Sequence, residues 1–326
     1  MKNFLGVLTS PWAIEPSKLI EIQAIYSARL HGDKIDIEAI EKRLGRPLAN
    51  EARSYTIQDG VAVLPIEGVI AKKMNLMTQI SGGTSTQLAA QALQDAINDP
   101  SVHSIILSID SPGGTVDGTQ ALATAVLAAR DSGKTIVTLA NGCMCSAAYW
   151  IGSAAQAVYI ADGTTTVGSI GVVTSHTDVS GAQAAQGLKT TEISAGKYKR
   201  IASNYAPLTA DGKQSIQDQI DYTYSLFVDA VAKNRNVSAN VVLRNMADGR
   251  VFMGKQAIAA GLVDGTVTMD ALIARLNTDR KAGRSPQPQK AMPLTRAALD
   301  LEAKAYMQAN PGVSYVEAVK QFEHLQ

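Results

Sequence analysis

Two stretches of small residues carry the chemistry this sequence offers. The first is SPGG (111–114), which closes the apolar run HSIILSID (103–110). Paired glycines let a backbone turn sharply and leave N–H groups aimed at open space, which is what an oxyanion hole requires. A plain strand-to-helix turn fits the same residues. The second is NGCMCSAAYWIGSAA (141–155), where Ser146 stands in an uncharged run directly after the strand-like TIVTLA (135–140). A serine at a helix start has N–H groups and a favourable dipole beside it. Gly142, Ala147 and Ala148 would let a peptide approach closely. From these residues alone, a nucleophile and a helix cap are equally good readings.

A nucleophilic serine needs a base. The chain has four histidines. His31 and His324 lie towards the two ends, and His103 begins a strand at the end away from SPGG. His176 is the one credible triad histidine, with Asp178 as a third member. Lysine is the other option. The glycine-led turn GKYKR (196–200) offers Lys199. A lysine works as a base only when burial or its neighbours depress its pKa from about 10.4 towards neutrality.

The elements that must position these groups read as an α/β fold. GVAVLPIEGVI (60–70), HSIILSID, TIVTLA, AVYIA (157–161), TVGSIGVVTS (166–175) and TTEISA (190–195) read as strands. Helical runs alternate with them: SGGTSTQLAAQALQDAIND (81–99), capped at Thr84 or Ser85; TVDGTQALATAVLAAR, opened by SPGG; and a helix around 179–187. Such alternation predicts a largely parallel sheet. In a parallel sheet, successive strand C-termini share one edge, so SPGG and Ser146 should face one crevice. Beyond residue 209 the pattern is helical.

Composition excludes several classes. With 326 residues and 46% of them hydrophobic, the chain can bury a large core. A net charge of +1 gives no basic field for nucleic acid or a membrane surface. No run approaches the roughly 18 apolar residues of a membrane span, and the N-terminus is a poor secretory signal, so a soluble cytoplasmic protein is expected. The two cysteines, Cys143 and Cys145, are too few for a structural zinc site, and no cofactor or metal is expected. Residues 1–55 predict a helical arm, with helices over 17–30 and 35–45. Residues 56–277 form the core domain. Residues 278–292 are a basic, Pro-containing linker, and 293–326 form a helical tail suited to docking.

The order of six segments carries a family resemblance. GGTS (82–85), SIDSPGG (108–114), NGCMCSAAYWIGSAA, GSIGV (168–172), GKYKRIASNYAPLT (196–209) and DGRVFMGKQAIAAGLVD (248–264) resemble the SppA signal peptide peptidase family over residues 60–275. The resemblance implies the ClpP/crotonase-like fold and a Ser–Lys dyad. The family's nucleophile falls on Ser146, its base on Lys199, and the serine that hydrogen-bonds the lysine on Ser169. The oxyanion donors fall on Gly114, with Gly113, and on Ala147. The extended SPGG and GSIGV segments, the latter with Gly168, Ile170 and Gly171, would pair with the substrate backbone. The implied substrate is a polypeptide. A single copy of the core implies a homo-oligomer with active sites shared between subunits. The PWAI arm (11–14), the basic linker and the helical tail are similar to the head-maturation proteases of tailed phages (the lambda protein C type), which implies scaffold, portal or capsid proteins as partners and the host cytoplasm or prohead as the setting.

Other readings remain: a cytoplasmic SppA-like peptide-degrading enzyme, a ClpP-like Ser146–His176–Asp178 triad, a crotonase-like acyl-CoA enzyme, or an inert structural component of the prohead. Cys143 and Cys145 are read as packing residues.

Overall fold

The computed structural model describes residues 11–14, 55–73 and 82–284, with Lys304, Met307 and residues 313–320. The chain begins with β1 (Trp12–Ile14), β2 (Thr56–Gln58), β3 (Val61–Glu67), β4 (Val69–Ala71), β5 (Gly83–Ser85) and α1 (Thr86–Asn98). It continues through β6 (Ser104–Ser111), β7 (Gly113–Thr115), α2 (Thr119–Ala129), β8 (Thr135–Cys145), α3 (Ala147–Gly152), β9 (Ala157–Ile160), β10 (Thr166–Gly168) and α4 (Ser180–Ala185). The last elements are α5 (Ala210–Arg235), α6 (Ala239–Asn245), β11 (Val251–Met253), α7 (Gly254–Ala259), β12 (Gly265–Thr266), α8 (Met269–Lys281) and α9 (Tyr315–Lys320).

The main sheet has the order β11-β10-β8-β6-β3-β2, and β9 pairs with β8 and β12. Its centre is parallel: β3 with β6, β6 with β8, and β8 with β10 and β9. β2 and β11 close the two ends antiparallel. This is the expected α/β class with a largely parallel sheet and flanking helices. The central strands read as unbroken apolar runs because helices cover both faces. Ile105, Leu107, Ile109, Ile136 and Ala140 pack with α1, α2 and α3 on one side, while Ile106, Val137 and Leu139 meet Leu272, Ile273 and Leu276 of α8 on the other. Each fully buried Ile or Leu of this kind contributes about 1.5–3 kcal/mol. The rings of Trp150 on α3 and Phe227 on α5 stack at 4.6 Å, fixing the long helix against the short one that follows Ser146.

A second sheet, β1-β7-β4-β5, forms beside the C-terminal ends of the main strands. It accounts for one departure from the sequence reading. SPGG does not open a helix directly. Residues Gly113–Thr115 stay extended as β7, paired with β1 and β4, and α2 starts only after Gly118, which is left-handed at φ 89°.

Ser85 caps α1, accepting from the Leu88 N–H, while Thr84 instead bridges the N–H and carbonyl of Glu67, at 2.9 Å each. TTEISA forms no strand. Among the described residues it has no neighbouring strand to complete its hydrogen bonds, and Ile193 is 96% exposed. Of TVGSIGVVTS only Thr166–Gly168 joins the sheet, because the left-handed backbone of Ser169 (φ 50°) ends the ladder. The helices expected over 17–30 and 35–45 lie outside the described residues. α8 runs through Lys281, into the stretch read as linker, and residues 285–292 lie outside the described residues. In the tail, Lys304 and Met307 are helical and α9 follows.

Candidate active site

Ser146 sits on a sharp turn between β8 and α3. Its backbone is at φ 56°, ψ −119°, a conformation costly for a residue with a side chain. The turn is held from both sides. The Ser146 N–H donates to the Gly168 carbonyl at 2.7 Å, and its own carbonyl accepts from the Trp150 N–H at 2.9 Å. Its side chain makes no capping bond to α3. The hydroxyl instead points at the Gly171 carbonyl, 3.4 Å away. Between nucleophile and cap, the local geometry favours a presented hydroxyl. The residue is 1% exposed, so something covers it.

The end of β8 is built to make this turn. The β6–β8 register shifts between Ile109 and Ser111, leaving residues 141–143 bulged out, and bulges of this kind re-aim strand ends beside sites. The Asp110 carboxylate pins the bulge by accepting from the Cys143 N–H at 2.9 Å, and a side chain at Gly142 would collide with that carboxylate. Cys145 is buried and Cys143 half-buried beside it.

Opposite Ser146 lies β7. A Cβ at Gly113 would strike the Ala13 carbonyl and lie 2.9 Å from the Cys145 carbonyl, and one at Gly114 would strike Ile70, so both positions require glycine. The Gly113 N–H donates to Ser111 Oγ at 3.2 Å, and that hydroxyl donates to the Gly68 carbonyl at 2.6 Å. The Gly113 N–H is thus engaged within its own turn, while Gly114 pairs with Ala13 of β1. Ala147, the first residue of α3, is fully buried next to Ser146; the first N–H groups of a helix have no acceptor within it.

On the third side, Gly168 pairs with Cys145, and Ser169 is buried with its N–H bonded to the Arg250 carbonyl at 2.8 Å. Ile170 is buried in the core and Gly171 meets the Ser146 hydroxyl. Thus Ser146, Ser169, Gly113, Gly114, Ala147, Gly168 and Gly171 come together.

Lys199 stands apart. It is exposed, on a turn closed by its N–H to the Gly196 carbonyl at 3.1 Å, and among the described residues it makes no hydrogen bond to Ser146 or Ser169. It lines a cleft of about 330 Å³ with Pro11, His176, Asn204 and Ile220. His176 Nε2 lies 2.9 Å from the Ser203 carbonyl, and neither it nor Asp178 hydrogen-bonds Ser146. The Asp178 carboxyl is held below its ordinary pKa by hydrogen bonds from Ser180, with a smaller effect of His176.

Sequence reading passed over Ser111 and Asp110. Both lie inside the SIDSPGG motif, and a polar residue at the exit of a buried strand was the available signal. Among the described residues no cluster of His, Cys, Asp or Glu could hold a metal, and no helix is long and apolar enough to cross a membrane.

Comparisons with known proteins address the same residues. The profile of peptidase family S49 matches residues 128–283, which include Ser146, Ser169 and Lys199. The chain resembles the SppA-type peptidases. It is 32% identical over 279 residues to capsid assembly protease C of Escherichia phage lambda, covering 83% of this chain and 60% of that protein. It is 32% identical over 240 residues to the head-tail preconnector protein GP5 of Enterobacteria phage P21, covering 72% of this chain and 47% of that one. A putative signal peptide peptidase SppA of Enterococcus faecium is 29% identical over 223 residues, covering 66% and 64%. The chain therefore spans between about half and two thirds of the length of these relatives. The resemblance read from the six motifs is borne out.

Proposed function

We propose that this protein is a serine endopeptidase in which Ser146 is the nucleophile and Lys199 the general base, acting on polypeptides during assembly of a phage head. The observation that carries the reading is the Ser146 turn: a strained, buried serine whose hydroxyl makes no capping bond and is directed at the Gly171 carbonyl. Strain of this kind persists where the surroundings over-determine it, as in strand-to-helix nucleophile turns.

In the proposed reaction, Lys199 accepts the Ser146 proton as Oγ attacks the scissile carbonyl. The N–H groups of Gly114 and Ala147 hold the developing oxyanion. The lysine returns the proton to the leaving amine, and water hydrolyses the acyl-enzyme. Ser169 would orient the lysine. Because Lys199 is exposed and makes no hydrogen bond to Ser146 within one chain, the base is proposed to be supplied by a neighbouring copy. The phage relatives, with their capsid-related names, support a head-assembly role with scaffold, portal or the protease itself as substrate.

A fluorophosphonate probe tests the chemistry. It should label Ser146 in the wild type, and Ser146→Ala should abolish both labelling and casein cleavage, lowering the latter by about 10⁴-fold or more. Casein cleavage undiminished in Ser146→Ala would remove the nucleophile assignment. Processing of co-expressed coat or scaffold proteins by the wild type but not by Ser146→Ala tests the biological setting.

A further inference from the structure

The groove beside Ser146 is filled, and what fills it is the chain's own N-terminal strand. Trp12, Ala13 and Ile14 are 2%, 0% and 3% exposed. β1 runs antiparallel to β7 in the register Trp12↔Thr115, Ala13↔Gly114 and Ile14↔Gly113. On its other edge Trp12 exchanges both backbone hydrogen bonds with Val173, each at 2.9 Å. The strand is thus held between the SPGG edge and the chain that follows GSIGV, as a peptide adding itself to two sheet edges would be.

The register decides which bond is presented. The Val116 N–H donates to the Pro11 carbonyl at 3.4 Å, so residues 11 and 116 are a hydrogen-bonded pair. Alternation along an antiparallel ladder makes Ala13 and Gly114 the next such pair. The Ala13 carbonyl therefore faces the N–H of Gly114, one of the two donors the proposed mechanism gives the oxyanion. The Ala13 oxygen and the Ile14 Cα both crowd the space above Gly113, as does the carbonyl of Cys145, the residue before the nucleophile. The Ala13–Ile14 bond is thus the part of β1 that meets Gly113 and the Cys145 carbonyl.

We propose that Ala13–Ile14 is a self-cleavage site, with Pro11-Trp12-Ala13 occupying the acyl side of the groove. This rests on the Ser146 peptidase reading. Ser146 Oγ would bond to the Ala13 carbonyl carbon, its proton passing through the general base to the Ile14 nitrogen as the C–N bond breaks. Water would then hydrolyse the Ala13 ester, leaving a carboxylate on Ala13, an amino terminus on Ile14 and a free Ser146 hydroxyl. Departure of residues 1–13 empties the groove. The same register assigns the subsite at the cleaved bond to small side chains, because Ala13 is wholly enclosed there.

The test uses the full chain, purified as wild type, Ser146→Ala, Ala13→Arg and Ile14→Pro, with intact mass and N-terminal peptide mapping as readouts. The wild type should accumulate a chain beginning at Ile14, and Ser146→Ala should keep residues 1–13. Ala13→Arg enlarges the enclosed side chain. Ile14→Pro leaves the pairing of Trp12 and Ala13 intact and blocks the bond. Both should retain residues 1–13 with the far-UV circular dichroism of the wild type, which shows that the chain is folded, and Ile14→Pro, its groove still filled, should label at Ser146 more slowly than the cleaved wild type. A wild type that labels at Ser146 and cleaves casein yet keeps residues 1–13, or loses them equally in Ile14→Pro, overturns the proposal. Absence of labelling and of casein cleavage in the wild type instead overturns the peptidase reading, and the self-cleavage site falls with it.

Discussion

The two halves of the candidate site are built differently. The serine half is made of sheet: β7, β8 and β10 converge on Ser146, and the Ser146 and Ser169 turns are held by backbone hydrogen bonds to Gly168, Trp150 and Arg250. The lysine half, residues 174–209, has one short helix, α4, with no buried residue, and residues 186–200 are almost wholly exposed. Its internal ties are sparse: Glu192 pairs with Arg200, Ser203 meets His176 and Tyr205, and the Val179 N–H donates to the Asn204 carbonyl. Ile193, Tyr198 and Leu188 point outward, an apolar surface of the sort an interface covers. A half that folds on its own contacts can hold strain at Ser146. A half with few contacts takes its shape from what it meets, which is why the lysine is the group proposed to come from a second copy.

The sharpest way to break this contrast is to separate the halves between chains. Ser146→Ala and Lys199→Ala should each be inactive on casein. Mixed and reassembled, they should recover up to about a quarter of wild-type activity if neighbours pair at random. No recovery in a mixture shown by mass spectrometry to contain hybrid oligomers would place the lysine in the same chain as its serine. In parallel His176→Ala should keep most of its activity. A loss as complete as that of Lys199→Ala would move the base to the histidine.

The second way is to weaken the sheet half without touching the site. Arg235, at the C-terminus of α5, is 8% exposed and forks onto Asp264, 1% exposed, at 2.6 and 3.0 Å. Arg235 Nε also donates to the Gly261 carbonyl, and Asp264 accepts from the Val158 N–H of β9 at 2.7 Å. Removing one partner strands a buried charge. Arg235→Ala should therefore cost about 3–5 kcal/mol in denaturant unfolding, whereas Arg235→Met with Asp264→Leu should regain most of it. A cost below about 1 kcal/mol for the single variant would mean that the core does not depend on this tie.

The same contrast explains what could be read from the sequence. The strands β3, β6 and β8 were legible because burial on both faces makes them mostly apolar, and Ser146, SPGG and GSIGV were legible as small residues at their ends. What failed depends on partners far along the chain. SPGG reads as the start of a helix until Trp12–Ile14, about a hundred positions earlier, pairs with it. TTEISA has the composition of a strand and, among the described residues, no strand beside it. Ser111 and Asp110 look like ordinary polar residues until Gly68 and Cys143 are brought to them. Local propensity carries no record of such contacts.

The smallest expected effect falls on the turn that feeds β10 towards Ser169. Asp162 Oδ1 accepts from the Thr164 hydroxyl and N–H, at 2.7 Å each, and from the Thr165 N–H at 3.0 Å. These bonds, the Thr164 hydroxyl's first, hold the Asp162 carboxyl below its ordinary pKa. A carboxyl depressed in the folded state stabilises it above the unfolded pKa of about 4, and that contribution is lost as the pH falls through the folded value. Asp162→Asn keeps the oxygen and removes the charge. It should lower Tm slightly at pH 7, and the difference from wild type should shrink as the pH drops below about 4. Fluorophosphonate labelling at pH 7 should hardly change, since the Ser146 N–H and Gly168 carbonyl still meet. A large loss of labelling would show instead that the serine half leans on this turn, and that its geometry is less self-supporting than the number of its sheet contacts implies.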